Sequence, residues 1–486
     1  MIPTPIQLPS TPNQQRAWFL DQLQPGSPVN NEVLLLALHG AWTPAEVQDC
    51  LDHILERQAV LRIHFQYTEG KLWQILPPNT QLRLRLIPDV APAKLLPEED
   101  PLHPNLVREI SFGFDITHGP LLRATLYGAG RAESALLLVA HQGILDGYSL
   151  SLLAQEMVRL LQRSPLPPLP PYHELPLFKD APSANQTDSL SWWKARLHQA
   201  PSLEFTTDYP RPSSPSHQCV NQRFTLTGKV VGSLRDIARE ERTTPTVVLL
   251  AALRIFLARS TGQQDFVLGA SLPTPFRTQF SSHCGAFSSP LPLRLQRELS
   301  VSFREAIREE RDALADTLPR GEVQLHTILE ALRIERDMTR HPLFQAHLQV
   351  FEQEPATEPA VPSQVKQIHL PLRFSRFDLS LSLCLQGDVV DGWLNLGADL
   401  FRQSTARRFS EQLETLLSAA LGSPDVPVAA LPLLSQNERN RILYEWNRTD
   451  APFPSETLLH ELFEQQVART PDQIAVEFQG ETLTYR

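Results

Sequence analysis

At 486 residues the chain is too long for one ordinary core, and 42% hydrophobic with 20% charged residues is the composition of a globular protein of two or three domains. Its 44 basic and 54 acidic side chains leave a net charge of −10, a poor match to a nucleic-acid binder, which would carry a basic stripe. The four cysteines (Cys50, Cys219, Cys284, Cys384) lie far apart with no CxxC pair, so neither a zinc site nor a disulfide framework is expected, and a reducing cytoplasm is the expected location.

The proline-rich N-terminus lacks the basic start and apolar core of a signal peptide. The apolar run 247–253 is cut by Arg254 before it could span a bilayer, so no membrane partner is expected. Residues 8–23 read as a first helix with Trp18 and Leu20 turned inward. Thr43-Pro44-Ala45-Glu46 forms a capping box with proline at the first helical position, and Val47, Cys50, Leu51, Ile54 and Leu55 follow at helical spacing. Residues 60–65 alternate as a strand, and Gly70 marks a hairpin into 72–76. The proline-dense stretch 164–171 reads as a stiff crossing between lobes.

A second lobe opens near Trp192-Trp193. Helices are expected over 245–253, 301–318 and 404–421, with strands over 266–268 and 344–351. Residues 377–400 alternate as further strand, with Asp388 and Asp391-Gly392 as turn signals. Composition shifts to a linker after Gly422, and 459–486 begins a new helix–strand pattern that stops within an element. Helices and strands mixed through both halves favour an α/β architecture of two comparable lobes.

One stretch organises the chain. An apolar run, 135–140, ends at His141-Gln142-Gly143-Ile144-Leu145-Asp146-Gly147, and Leu152, Leu153, Met157, Leu160 and Leu161 then recur at helical spacing. Polar side chains at such a strand-to-helix junction can be presented at the mouth of a cleft. A lone histidine there is most often structural; Asp146 can equally serve as a helix cap, and Gly147 permits tight backbone geometry.

These residues, in this order, resemble the condensation domains of nonribosomal peptide synthetases. Gln14, Arg16 and Trp18 are similar to the family's opening motif; Arg57, Leu61 and Arg62 to its second; Phe114-Asp115, Gly119-Pro120-Leu121 and Arg123 to its third. Residues 141–147 fall on the active-site motif, Gly285 and Phe287 on a later one, and 336–345 on the last. Residues 435–447 resemble the linker to an adenylation domain, and Leu483-Thr484-Tyr485 that domain's first motif. The resemblance implies two chloramphenicol-acetyltransferase-like lobes forming a V-shaped pseudo-dimer with a central tunnel. The implied divisions are an N-terminal lobe over 1–180, a C-terminal lobe over 181–426, a linker over 427–458 and the start of an adenylation domain over 459–486. It also implies donor and acceptor carrier proteins as partners, whose 4'-phosphopantetheine arms enter the tunnel, with no metal and no covalently held cofactor. Because the first motif lies close to Met1, the donor is expected in trans, from another subunit or as acyl-CoA.

The departures from that pattern bear on chemistry. The family's second active-site histidine, assigned to catalysis, is Gln142 here, while His141 keeps the first position and should face away from the tunnel. A glutamine donates and accepts hydrogen bonds but takes no proton near neutral pH. Gln58 and Ala59 replace an expected His-Glu pair, Asn30-Asn31 stands for aromatic-Asn, and Gln324-Leu325-His326 for Pro-Phe-Glu. The arginine that would pair with Asp146 is missing from its expected spacing unless Arg277 is shifted in by two residues. The expected site is therefore Gln142, His141, Asp146 and Gly147, with Arg62, Ser149 and Arg277 in support. Whether the chain is an enzyme stays open on these residues. The leading expectation is a domain impaired or silent in amide-bond formation that serves as a platform beside the adenylation domain, or that recruits a tailoring enzyme. The alternative is active condensation, a lipid-starting acylation included, with Gln142 positioning the amine; a related acyl transfer on a carrier-bound substrate is a third reading.

Overall fold

In the computed structural model the described residues are 5–92, 95, 102–178, 184–334, 337–353, 365–452 and 455–486. The N-terminal lobe is built on a five-stranded sheet, ordered β12 (Val365–Ile368), β2 (Asn31–His39), β7 (Glu133–His141), β6 (Leu122–Tyr127), β5 (Leu84–Ile87). Only the β5–β6 pair is parallel. A smaller antiparallel sheet, β1 (Ile6–Pro9), β4 (Lys71–Leu76), β3 (His64–Thr68), lies in the same lobe. Its helices are α1 (Pro12–Leu23), α2 (Pro44–Arg57), α3 (Pro104–Ser111) and α4 (Gly147–Leu161). Strand β7 is buried on both faces from Ser134 onward, which explains its unbroken apolar run.

The C-terminal lobe carries a six-stranded sheet: β10 (Leu291–Gln296), β9 (Asp265–Ser271), β11 (Ala346–Gln353), β13 (Leu379–Gln386), β14 (Val389–Gly397), β8 (Cys219–Thr227). Strand β11 runs parallel to both neighbours. Around the sheet stand α5 (Ala184–Leu197), α6 (Lys229–Glu240), α7 (Pro245–Thr261), α8 (Pro275–Thr278), α9 (Phe303–Thr317), α10 (Leu325–Leu332) and α11 (Gln403–Gly422). Helix α7 is buried on every side from Thr246 to Ala258, so it needs no amphipathic stripe. The lobes interlock. Strand β12 comes from beyond β11 in sequence yet pairs with β2, and Phe280, Cys284 and Phe287 pack into the N-terminal core.

Residues 1–433 form one contact unit and 434–486 another. The second unit holds α12 (Gln436–Asn440), α13 (Leu459–Arg469) and the hairpin β15 (Ile474–Phe478) and β16 (Glu481–Thr484), with the Phe463 and Tyr485 rings 5.6 Å apart.

Three local expectations differ from the structure. On α1 the buried residues are Gln14, Ala17 and Asp21, while Trp18 is half-buried and stacks 4.9 Å from Tyr67. Residues 59–62 form a 3-10 turn rather than the start of a strand, since Val60, Leu61 and Ile63 are all buried and alternation does not describe them. Asp391-Gly392 lies inside β14, not at its turn. Asp391 pairs with Arg223, and a Cβ on Gly392 would sit 2.0 Å from the Ser382 carbonyl, so glycine here allows two strands to approach.

In the C-terminal core Arg254 and Glu310, both almost wholly buried, form an ion pair, and Arg254 also donates to the Leu293 carbonyl at 3.1 Å. Glu310→Ala should lower stability by about 3–5 kcal/mol, because it leaves a buried guanidinium uncompensated. Urea unfolding of the parent and the variant checks this.

Candidate active site

Strand β7 delivers His141 and Gln142 to the lobe junction with opposite orientations, as alternation requires. His141 is buried, its Nδ1 accepts from the Gly143 amide at 3.1 Å, and its ring meets Phe114 edge-on at 6.3 Å. Its Nε2 has no protein partner among the described residues. Burial, and then the Arg376 charge, push the imidazole down to about 3, so it is neutral at physiological pH. It is not part of the cavity wall.

Gln142 is part of that wall. The cavity, 2530 Å³, runs between the lobes and is lined from both. The Gln142 amide N–H donates to the Asn30 carbonyl at 2.8 Å, and Nε2 donates to Asn30 Oδ1. Arg376 donates to the same oxygen. Since a guanidinium can only donate, Asn30 must turn its oxygen toward it, and Gln142 must then offer nitrogen rather than oxygen. The glutamine side chain is thereby held, with Oε1 left without a protein partner among the described residues. Two of the departures noted in the sequence, Asn30 and Gln142, are thus bonded to each other.

Asp146 is the hub of the junction. It caps α4: Oδ1 accepts from the Ser149 amide at 2.8 Å and from Ser149 Oγ at 2.6 Å. Its Oδ2 accepts from the amides of Phe287 and Ser288 at 3.2 and 2.9 Å, and its own N–H donates to the Gly285 carbonyl. Arg277, fully buried, fills the remaining side. Its Nε lies 3.2 Å from Asp146 Oδ2, off the hydrogen-bond axis. Its terminal nitrogens donate to Ser149 Oγ and to the carbonyls of Phe280 and His283. Despite its shifted spacing, Arg277 is the aspartate's partner. Helix α8 places it, with Thr274 capping that helix through the Arg277 amide.

Gly147 lines the cavity, and a Cβ there would come within 2.5 Å of Gln349 Nε2 on β11. Arg62 lies away from these groups and donates to the Pro78 carbonyl at 3.1 Å. Gln58 is a buried tie between the lobes: Nε2 donates to Glu156 and to the Ser282 carbonyl, and Oε1 accepts from the Cys284 amide at 2.9 Å. Arg57 joins it on Glu156 at 2.7 Å. Gln324 accepts from Ser289 at 3.3 Å. Arg336 of the last motif lies outside the described residues.

Sequence reading passed over Glu32, Arg376 and His347, all in the cavity wall. Removal from water, reinforced by Asp146, pushes the Glu32 carboxyl up to about 7. Burial lowers Arg376 to about 9 and His347 to about 4. His347 Nε2 lies 2.9 Å from Ser271 Oγ, and its ring stacks on Phe377 at 4.8 Å. The available signal was an acid heading the apolar run of β2, at a position where the outer strand face would ordinarily begin. Among the described residues, no group of three or more His, Cys, Asp or Glu side chains could hold a metal ion. No single described helix is long and apolar enough to cross a membrane.

A profile of the family described as "Condensation domain" matches residues 6–443. The chain belongs to that family. Phosphinothricin tripeptide synthetase PhsC of Streptomyces viridochromogenes is 30% identical over 97% of this chain and 44% of its own length. A dimodular nonribosomal peptide synthase of Bacillus subtilis is 28% identical over 99% of the chain, but only 21% of its own length. The chain therefore spans less than half of these synthetases. Among solved structures, a four-domain nonribosomal peptide synthetase bound to AMP and glycine superposes with a TM-score of 0.81 at 18% identity, covering 99% of this chain and 38% of that one. The condensation domain from Monacolin K polyketide synthase MokA gives 0.75 at 21% identity, covering 88% of this chain and 100% of its own. These likenesses establish the fold: two acetyltransferase-like α/β lobes forming a pseudo-dimer.

Two predictions concern this condensation domain. Arg277→Leu should cost about 3–5 kcal/mol, by stranding Asp146 as a buried unpaired charge. The double variant Asp146→Asn/Arg277→Leu should cost less than the two single changes summed, as a double-mutant cycle of unfolding free energies will report. Separately, His141, His341 and His347 all bind protons more weakly folded than unfolded. Unfolded chains take up protons below about 6.5, so stability should fall as pH drops from there toward 4. The His141 ring resonances should show no titration between pH 8 and 5.

Proposed function

We propose that this condensation domain forms amide bonds between a carrier-bound acyl thioester and a carrier-bound amine, with Gln142 orienting the nucleophile. One observation carries this reading: Gln142 lines the cavity, and its side chain is pinned by Asn30 with its carbonyl oxygen free among the described residues. A fixed acceptor at that place can hold an amine N–H and aim the nitrogen lone pair at the thioester carbonyl. Correct placement alone supplies large rate factors, and an α-amine with a pKa of about 7.7–8 is partly neutral at physiological pH. The complete set of bonds around Asp146 keeps the turn that carries Gln142 in register.

The partners in this reading are donor and acceptor carrier proteins, each presenting a 4'-phosphopantetheine arm at one mouth of the cavity; acyl-CoA is an alternative donor. Residues 459–486 are read as the start of an adenylation domain, with 427–458 leading to it. Leu459, Phe463, Phe478 and Leu483 are exposed, consistent with a core completed by further chain.

The test is amide formation from loaded donor and acceptor carriers by the parent, Gln142→Ala and Gln142→His. Gln142→Ala should lower kcat by about 10²-fold, the scale of a misplaced nucleophile, and Gln142→His should equal or exceed the parent. Silence of all three, with carrier binding intact, would instead establish the interaction platform.

A further inference from the structure

Glu32 is the acid at the head of β2, opposite Ala140 in the β2–β7 register. The pairing continues one step to Asn30 and Gln142, whose N–H donates to the Asn30 carbonyl. Glu32 is therefore the diagonal neighbour of Gln142 on one sheet face, roughly 7–8 Å away between strand positions. Both side chains line the cavity. Among the described residues, the Glu32 carboxylate has neither a hydrogen-bond donor nor a cationic partner. A carboxylate recessed in a cavity without such a partner is costly and calls for a functional account.

We propose that Glu32 is the proton acceptor for the attacking amine, doing at a diagonal position what Gln142 cannot; this rests on the amide-forming activity proposed above. The step balances within the two carrier-bound substrates. The amine nitrogen attacks the thioester carbonyl carbon, and the C–N bond forms as the carbonyl pair moves to oxygen. The ammonium proton passes to the Glu32 carboxylate. Collapse breaks the C–S bond, and the departing thiolate takes the proton back from Glu32, leaving an amide and a free thiol. Gln142 holds one N–H of the amine while Glu32 receives the other.

Of the surrounding charges, Asp146 is the one that supports this role. Removal from water and Asp146, at the α4 N-cap, together raise Glu32 into the neutral range. Arg16 on α1 and Arg376 are themselves depressed by burial, to about 10 and about 9, so both remain cationic at physiological pH. His347 on β11 is lowered to about 4, and His369 also lies below its ordinary value. From α4, Glu156 is engaged by Arg57 and Gln58, while Lys366 on β12 stands opposite Ala37, toward the far end of β2. Among these groups, Glu32 is the one shifted to about 7.

The experiment compares the parent, Glu32→Gln, Glu32→Asp and His347→Gln across pH 5.5–9, using a panel of acyl and aminoacyl thioesters loaded on carrier proteins. For the parent, kcat should fall as pH drops through about 7. Glu32→Gln should lose about 10²–10⁴-fold in rate, the usual worth of a general base, and keep only the amine's own limb at about 7.7–8, while Glu32→Asp keeps the lower limb at reduced rate. The melting temperature of Glu32→Gln at pH 8 should be no lower than the parent's, since a neutral amide replaces a poorly hydrated charge; this separates chemistry from folding. Parent-like rate and pH profile in Glu32→Gln, or loss of the limb in His347→Gln instead, would overturn the proposal while leaving amide formation standing. Absence of amide from the parent with every pair would remove the underlying reading, and this proposal with it.

Discussion

The Asp146 carboxylate is where the two halves of this domain are fastened. It caps a helix of one lobe, accepts two amides from a loop of the other, and faces a buried guanidinium from that second lobe. The three backbone amides would be unsatisfied without it, and a buried unsatisfied polar group costs more than the bond it lacks. Gly285 extends the same set of bonds: its carbonyl accepts from the Asp146 amide and its own N–H donates to Ser149 Oγ. The turn between His141 and Gly147 has little freedom as a result, and neither does the direction in which Gln142 points.

This fixity changes how the loss of the second histidine is understood. The Gln142 side chain does not hang free in the cavity. Instead, its amide is fixed by Asn30, Asn30 by Arg376, and the nearby exchange of Gln58 ties Glu156, Ser282 and Cys284 together. These polar departures are thus tied into hydrogen-bond networks, although Asn30 Nδ2 and His141 Nε2 beside them have no partner among the described residues.

His141 and Glu32 show how removal from water sorts titratable groups by their surroundings. Both lie close to Gln142 along paired strands, yet desolvation drives the imidazole down to about 3 and the carboxyl up to about 7. In each case the charged form is the one disfavoured. The imidazole faces the core, where it serves as an acceptor for the Gly143 amide, while the carboxyl faces the cavity.

Much of this was open to reading along the chain. The α2 capping box, the apolar run of β7, the Asp146 cap and the opposed faces of His141 and Gln142 are local matters, decided by hydrogen-bonding capacity and by the period of a helix or strand. The order of short motifs was enough to point to the family and to its two-lobed fold. Contacts between residues far apart in sequence were not legible: that Arg277 reaches Asp146 across a shifted spacing, that Asn30 meets Gln142, that 365–368 adds a strand to the other lobe's sheet. Asp391-Gly392 misled because the same dipeptide serves a turn or a close strand crossing, and only the neighbouring Ser382 carbonyl decides between them. Sequence alone determined most of the elements and the opposed faces of His141 and Gln142, because those depend on near neighbours; it misplaced Trp18 and the turn at 59–62, whose burial depends on distant packing. Tertiary structure alone decided which polar groups meet and how far each is removed from water, because both depend on what the rest of the chain brings alongside.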